Sequence, residues 1–240
     1  MRERSKRYTK AAGAVAEKAK APVALDEAVR LLKQMVAAAP TRFDQSVEVV
    51  MNLGIDPKQA DQMIRGSVSL PHGIGKARKV IAFAEGEQAE KAKAAGAIEV
   101  GGDELIQKVM GGWTDFDVAV AHPALMGRVG RLGRVLGPQG KMPSPKSGTV
   151  TPDVETAVRE YAAGKVEFRN DAGGNVHAVV GKSSFAEEAL KANIEAFMNH
   201  IRRMKPAAAK GTYIKKVCVK ATMTPAVEVA TAVATGAESE

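Results

Sequence analysis

The arrangement of predicted strands and helices changes near residue 71 and changes back near residue 164, and this pattern constrains the fold most strongly. Residues 46–70 contain two segments in which apolar and polar side chains alternate, as in strands of an antiparallel sheet. Residues 71–159 alternate strands with helices, which is typical of a small parallel α/β layer. Residues 165–180 then predict a hairpin. The sequence therefore predicts a discontinuous α+β domain with a second, α/β domain inserted into it.

The boundaries of the two predicted domains follow from these changes. We predict that residues 1–70 plus 160–240 form the split domain and that residues 71–159 form the inserted domain. Glycine tolerates backbone conformations that other residues avoid. Glycines near the two points where the chain passes between the domains are therefore suited to a hinge. The predicted hinge residues are Gly73, Gly75 and Gly164.

Two helices of the split domain are predicted from apolar residues at helical spacing, over Leu25–Ala38 and over 184–204. Alternation over 213–223 predicts the last strand. The tail from Ala226 onward carries no such pattern and is predicted to be frayed.

The charge of the chain favours a polyanionic partner. The sequence has 35 Lys and Arg against 27 Asp and Glu, a net charge of +8, and a pI near 9.5. The split domain holds 23 of these cations and 17 of the acids, a net charge of +6. Only 4% of residues are aromatic, whereas proteins that stack on splayed bases need aromatic platforms. We therefore expect contacts to phosphates and to the shape of folded RNA.

The first twenty residues form a basic arm with a single acid among its first five cations, which are Arg2, Arg4, Lys6, Arg7 and Lys10. Two interpretations stay open at this point. The arm is either mobile until it meets phosphate, or a helix with one solvated face.

Other functional classes find little support in the sequence. The four histidines (His72, His122, His177 and His200) are scattered, which argues against a metal site. Cys218 is the single cysteine, so no disulfide forms within the chain. No catalytic nucleophile motif occurs, and no cofactor is expected. No run of about 18 apolar residues and no secretory signal is present, so we expect a cytoplasmic protein.

Three short motifs at strand ends are the candidate binding residues. They are residues 42–48 at a strand entrance, residues 168–171 before a hairpin turn, and residues 222–225 after the last strand. Packing combined with turn formation is the default explanation for each of them. If the strand ends converge, they would form a polar platform for 2′-hydroxyl and phosphate contacts.

Two glycine-rich segments suggest nucleotide binding, but neither has the full pattern. Residues 72–76 (HGIGK) lack the preceding strand and the hydroxyl residue after the lysine of a phosphate loop. Residues 127–144 place Arg and Lys between glycines, and Pro138 and Pro143 forbid a long following helix. This second segment is predicted to be either a structural loop or a basic surface that exposes backbone.

Residues 136–150 (LGPQGKMPSPKSGTV) resemble the signature loop of the universal L-one family of large-subunit ribosomal proteins. The resemblance spans about residues 6–225, and shorter stretches support it in the same order. These stretches are 53–57, 65–73, 111–113, 167–171 and 181–185.

The resemblance implies a discontinuous ferredoxin-like split βαβ domain and an inserted Rossmann-like three-layer α/β domain without a nucleotide. It implies a non-enzymatic protein that binds the large-subunit ribosomal RNA stalk beside the tRNA exit site and assists the release of deacylated tRNA. In bacteria it further implies repression of the protein's own operon. The implied partners are ribosomal RNA, exit-site tRNA and the operon mRNA, and the free protein is expected to be a monomer.

The residues that the resemblance implies as RNA contacts are Arg42, Phe43, Ser46, Glu48, Asn170, Asp171, Thr222 and Met223. Thr224 stands where the family usually has glycine, a residue that permits close approach of a backbone. Ala172 and Gln139 likewise stand where basic residues are usual.

Two rival hypotheses come from other classes. The strand–helix alternation and glycine runs of residues 71–159 would also suit a nucleotide-binding enzyme. The positive charge would also suit a DNA-binding regulator.

Overall fold

The structure, a computed structural model, describes residues 4–16, 18 and 21–230. Contacts divide the chain into two compact units. Unit 1 takes in the described residues of 1–64, 70–75 and 168–240, and unit 2 consists of Arg65–Ser69 and Lys76–Glu167. The mixed α/β class is confirmed. The predicted domains and their likeness to ferredoxin-like and Rossmann-like folds stay predictions.

The helices and strands follow one another along the chain as α1 (Lys6–Gly13), α2 (Leu25–Ala38), β1 (Ser46–Leu53), β2 (Arg65–Val68), β3 (Val80–Phe83), α3 (Glu87–Ala94), β4 (Glu99–Gly101), α4 (Asp103–Met110), β5 (Val118–Ala121), α5 (Met126–Val129), α6 (Gly133–Leu136), α7 (Val154–Ala162), β6 (Val166–Arg169), β7 (Asn175–Lys182), α8 (Glu187–Arg203), β8 (Ile214–Ala221) and β9 (Val227–Val229). Strands β2 and β6 form a two-stranded sheet.

Unit 1 is built on a four-stranded sheet with the order β7-β1-β8-β9. Strand β1 lies antiparallel to both β7 and β8, and α8 connects these two, so the three strands and the helix form a split βαβ arrangement. Alternate side chains of β1 are buried, as the sequence pattern requires. The apolar stripes of α2 and α8, which include Leu32 and Phe197, are fully buried and complete this core.

The prediction for the tail was wrong in one part. Val227 and Val229 are buried, and β9 pairs with β8 as the edge of the sheet. Val23 forms a parallel bridge with Val229 from the other side. Three residues are too few for a strand pattern, so only pairing with β8 produces this strand. The rest of the tail, residues 231–240, lies outside the described residues.

Unit 2 contains a parallel sheet with the order β4-β3-β5. All four residues of β3 and of β5 are buried, because helices pack on both faces. Ile81 and Phe83 face a cluster with α4, α5 and α6, whereas Val80 and Ala82 face a cluster with α3 and α7. The residues after β5 form short helical turns from Pro123 to Leu136, so this part of the glycine-rich segment is not an irregular loop.

The signature stretch closes unit 2 through hydroxyl groups. Ser147 and Thr149 are buried and hydrogen-bond to each other at 3.0 Å. The Tyr161 hydroxyl on α7 donates to the Ser147 carbonyl at 2.5 Å. These contacts give the stretch a packing role, since each buried hydroxyl has a partner.

Candidate nucleic-acid interface

Two of the three strand-end motifs meet in unit 1. Ser46 begins β1 and Thr222 follows β8, and the pairing of Val47 with Ala221 places them side by side. The Ser46 amide donates to Thr222 Oγ1 at 3.1 Å, and the Thr222 amide donates to the Ser46 carbonyl at 3.0 Å. Ser46 and Thr222 are 176 positions apart in the chain. Residues 42–46 and 222–223 therefore form one surface, which we call the β1 entrance.

Gln45 connects the segments of the β1 entrance through hydrogen bonds made below its surface. Its side chain is fully buried, and Oε1 accepts the Met223 amide at 3.0 Å. Its backbone amide donates to Ser183 Oγ at 3.2 Å. Nε2 is buried without a hydrogen-bond partner among the described residues. Gln45 lies within the 42–48 motif but was not among the predicted contact residues, because nothing local indicates that its side chain turns inward.

Asp44 caps the segment that follows β7. Its carboxylate accepts the hydroxyls of Ser183 and Ser184, each at 2.7 Å, and the Ser184 amide at 3.2 Å. Desolvation raises the pKa of Asp44, but these hydrogen bonds outweigh it and hold the pKa below its usual value. The carboxylate therefore stays ionised and fixes the backbone next to Phe43.

Two large apolar side chains stand exposed at the β1 entrance. Phe43 is 52% exposed and Met223 is 43% exposed, and Arg42 beside Phe43 is exposed as well. Exposed aromatic and methionine side chains next to a cation are typical of contact surfaces. This combination of groups suits a base face and a nearby phosphate.

A lysine lies next to each of Ser46 and Glu48, the two predicted contact residues within β1. Lys182 Nζ donates to Ser46 Oγ at 2.9 Å, and Lys220 Nζ lies 2.8 Å from Glu48 Oε2. Glu48 and Lys220 are cross-strand partners. Neither lysine was among the predicted site residues, because only the strand register brings them to these positions.

The third motif lies at the opposite end of β1. Asn52 pairs with Asn175 there, and Asn52 lies six positions after Ser46, which is roughly 20 Å along a strand. Asp171 donates its amide to the Asn175 carbonyl at 2.8 Å. The structure thus brings two of the three motifs together and places Asn170 and Asp171 apart from them.

Asn170 and Asp171 use their polar atoms within the protein. Asn170 is buried, and its Oδ1 accepts the Ile64 amide at 2.8 Å. Asp171 Oδ1 accepts the amides of Asn175 at 2.7 Å and Gly173 at 2.8 Å. The side-chain and backbone N–H groups of Asn175 are the main cause that lowers the pKa of Asp171 to about 2. Both side chains therefore shape the hairpin turn.

Thr224 fits its position without strain. No non-glycine residue among those described has a positive φ, so a glycine is not needed here for its conformation. Thr224 is buried, and its hydroxyl accepts the Ala221 amide at 3.0 Å. The threonine therefore tightens the turn that presents Thr222 and Met223.

The predicted hinge glycines each have a local explanation. Gly73, Gly75 and Gly164 have φ values of 62°, 73° and 105°. A Cβ on Gly75 would also meet the Phe185 ring at 2.7 Å. Turn geometry and crowding explain these glycines, and their role as a hinge stays a prediction.

The geometry of unit 2 offers little support for a nucleotide enzyme. A polar cavity of about 160 Å³, with Arg78, Lys141 and Glu167 in its wall, lies at the amino ends of β3 and β5. Nucleotides bind beyond the carboxyl ends of the strands in α/β sheets.

Within the described residues, no cluster of three or more His, Cys, Asp or Glu side chains could hold a metal. None of the helices described is long and apolar enough to span a membrane.

Comparisons with known proteins identify the relatives of the chain. Residues 32–225 match the model of the ribosomal protein L1p/L10e family. A large ribosomal subunit protein uL1 of Beutenbergia cavernae is 55% identical over 95% of this chain and 93% of its own length. The uL1 proteins of Kosmotoga olearia and Clavibacter michiganensis are each 54% identical, over 95% and 94% of this chain and 96% and 97% of theirs.

Proposed function

The chain belongs to the ribosomal protein L1p/L10e family, and from that premise we propose that it binds folded stalk RNA of the large ribosomal subunit through the β1 entrance. The family is a structural, non-enzymatic class of ribosomal proteins. The observation that carries the proposal is the meeting of residues 42–46 with residues 222–223 across β1 and β8. The protein acts in the cytoplasm as part of the ribosome.

Each group at the β1 entrance has a chemical role in this proposal. Phe43 and Met223 supply exposed apolar area for stacking and packing against a base or ribose. The hydroxyls of Ser46 and Thr222 meet 2′-hydroxyls or phosphate oxygens. Arg42 contributes charge toward a phosphate.

Glu48 acts through its partner rather than by contact with phosphate. A free carboxylate would repel the RNA backbone, but Glu48 is paired with Lys220 at 2.8 Å. The pair holds the lysine over the open face of the sheet. Asn170 and Asp171 support a second contact region, in which the backbone of the hairpin turn faces the RNA. Two regions roughly 20 Å apart suit a folded RNA better than a single base.

The finer parts of the function follow from the resemblance to the family. We propose that the protein assists release of deacylated tRNA at the exit site and represses its own operon through an mRNA structure similar to the stalk. The free protein is a monomer in this proposal. Competition between stalk RNA and the operon leader for the same protein tests the repressor role, since one site cannot hold both.

The direct test is a gel-shift titration of stalk RNA with Phe43→Ala and Thr222→Val. Thr222→Val retains the shape of the side chain but removes the hydroxyl. Each variant is expected to bind about 1–3 kcal/mol more weakly. Met110→Ala is the matched control, because Met110 is an apolar side chain of unit 2 that is 56% exposed. Wild-type affinity in both site variants would show that RNA binds elsewhere.

The rival functions have clear tests as well. Equilibrium dialysis with ATP, GTP or NAD would support the enzyme hypothesis only if binding is millimolar or tighter. A comparison of DNA and RNA affinity at matched salt separates the DNA-binding alternative. Co-sedimentation of the protein with large subunits at high salt is the expected result for the proposed function.

A further inference from the structure

Helix α1 presents a cationic face that the β1 entrance does not use. The helix begins after Ser5, whose Oγ accepts the Tyr8 amide at 3.3 Å. Its inner side rests on α2, where Ala11 is fully buried, and Val15 beyond its end is also buried. Of the two interpretations of the basic arm, the helix is therefore the one that residues 6–13 adopt.

Three cations share the outer face of α1. Lys6 and Lys10 are one turn apart, and Arg7 lies three residues before Lys10, so their side chains are neighbours about 5–6 Å apart at Cβ. No acidic residue occurs from position 4 to position 16. Within the part of the chain that the structure describes, these three cations form no ion pair within 4.0 Å. No described acid therefore neutralises their charge.

A fourth cation lies at the amino end of α1 but on another side of the helix, because Tyr8, which it contacts, is two residues from both Lys6 and Lys10. The Arg4 guanidinium lies over the Tyr8 ring, with 4.8 Å from its carbon to the ring centroid. Such a cation–π contact restrains the side chain, which stays exposed. We call Lys6, Arg7 and Lys10 together the α1 cation face, and Arg4 lies outside it.

The α1 cation face lowers the stability of the helix that carries it. Cations in a first turn oppose the helix dipole, and like charges four residues apart repel each other. Among the described helices of eight or more residues, α2, α3, α4, α7 and α8 each have acids in the first turn, whereas α1 has none. Lys10 lies in the last turn, where a cation complements the dipole, so helix stability gives no reason only for Lys6 and Arg7.

We propose that the α1 cation face is a second RNA-binding surface, which holds the phosphate backbone without regard to base sequence. The inference rests on the proposed RNA-binding function and adds a surface outside the β1 entrance. Three cations with no acid between them in the sequence complement a polyanion, and each neutralised phosphate releases counterions. A membrane surface fits less well, because the large apolar residue Val15 of this segment is turned inward.

The experiment compares two triple variants with the same loss of charge. Lys6→Gln/Arg7→Gln/Lys10→Gln removes the face, and Lys93→Gln/Arg131→Gln/Arg134→Gln removes three exposed cations of unit 2. Both are titrated with stalk RNA and with an unrelated RNA duplex at several salt concentrations. The first variant should bind both RNAs about tenfold or more weakly near 0.1 M salt, with a salt slope smaller by about two. Its melting temperature should not fall, because repulsion within α1 is removed.

Other outcomes separate the possible failures. Equal losses in the two triple variants would overturn the inference, since net charge alone would then explain them. Unchanged affinity and salt slope in the α1 variant would also overturn it. If wild type binds stalk RNA no tighter than the duplex, the proposed function fails, whereas a selective loss in the α1 variant on both RNAs still supports the α1 cation face. Wild type that binds neither RNA would overturn both proposals.

Discussion

The two ends of β1 belong to one strand but differ in how their polar groups are used. At the entrance, Phe43 and Met223 are exposed, and the hydroxyls lie at the surface. At the far end, Asn170 and Asp171 donate to or accept from neighbouring backbone groups. The entrance hydroxyls of Ser46 and Thr222 also bond within the protein. The comparison therefore teaches that both ends maintain the fold, whereas only the entrance leaves large apolar side chains exposed for a ligand.

The largest effect is expected from Asn170→Ala at the far end. The change leaves the buried Ile64 amide without its acceptor at 2.8 Å. Such an unpaired group lowers the free energy of unfolding by about 1–3 kcal/mol. Urea denaturation measures this loss. The comparison breaks down if stability is unchanged while RNA affinity falls, because Asn170 would then act as a contact.

Phe43→Ala should show the opposite behaviour at the entrance. Stability should change by less than about 0.5 kcal/mol, because the ring is largely exposed. Affinity for stalk RNA should fall by about 1–3 kcal/mol, from the loss of a stacking surface. Denaturation and gel shift on the same sample measure both quantities. A large loss of stability would place Phe43 with the structural residues instead.

Thr224→Gly introduces the residue that the resemblance to the family implies at this position, and it should be destabilising here. The change removes the hydroxyl that accepts the Ala221 amide at 3.0 Å and adds backbone freedom. We expect a loss of about 1 kcal/mol in unfolding free energy. Thr224→Ser, which retains the hydroxyl, is the control. A glycine variant as stable as wild type would show that the turn does not depend on this bond.

The smallest effect concerns pH and the far end alone. The pKa of Asp171 is about 2, below its unfolded value near 4. Its contribution to stability is therefore full above the unfolded pKa and is lost as pH falls from about 4 to about 2. Asp171→Asn should flatten the acid limb of a plot of melting temperature against pH. An identical acid limb in the variant would show that the hydrogen bonds from Asn175 do not depend on the charge.

Local patterns predicted much of the fold correctly. Helix α2 begins and ends where the apolar spacing indicated, and β1 has the predicted alternation. Strand β9 was missed because three residues hold too little pattern. The helical turns of 123–136 were missed because glycines and prolines usually indicate loops. Buried Val129, Leu132 and Leu136 hold these turns in place through tertiary packing.

The sequence by itself determined the family, because motifs in a fixed order can be recognised without knowing which residues are in contact. It also determined most helices and strands through the periodicity of their apolar residues. Only the tertiary structure decided which strand ends meet. Strand register places Ser46 beside Thr222, which is 176 positions later in the chain. It leaves Asn170 near the other end of β1, which is roughly 20 Å from Ser46 along the strand. The register also brings Gln45 and Lys182 into the β1 entrance, because hydrogen bonds between distant segments depend on strand pairing that no local pattern encodes.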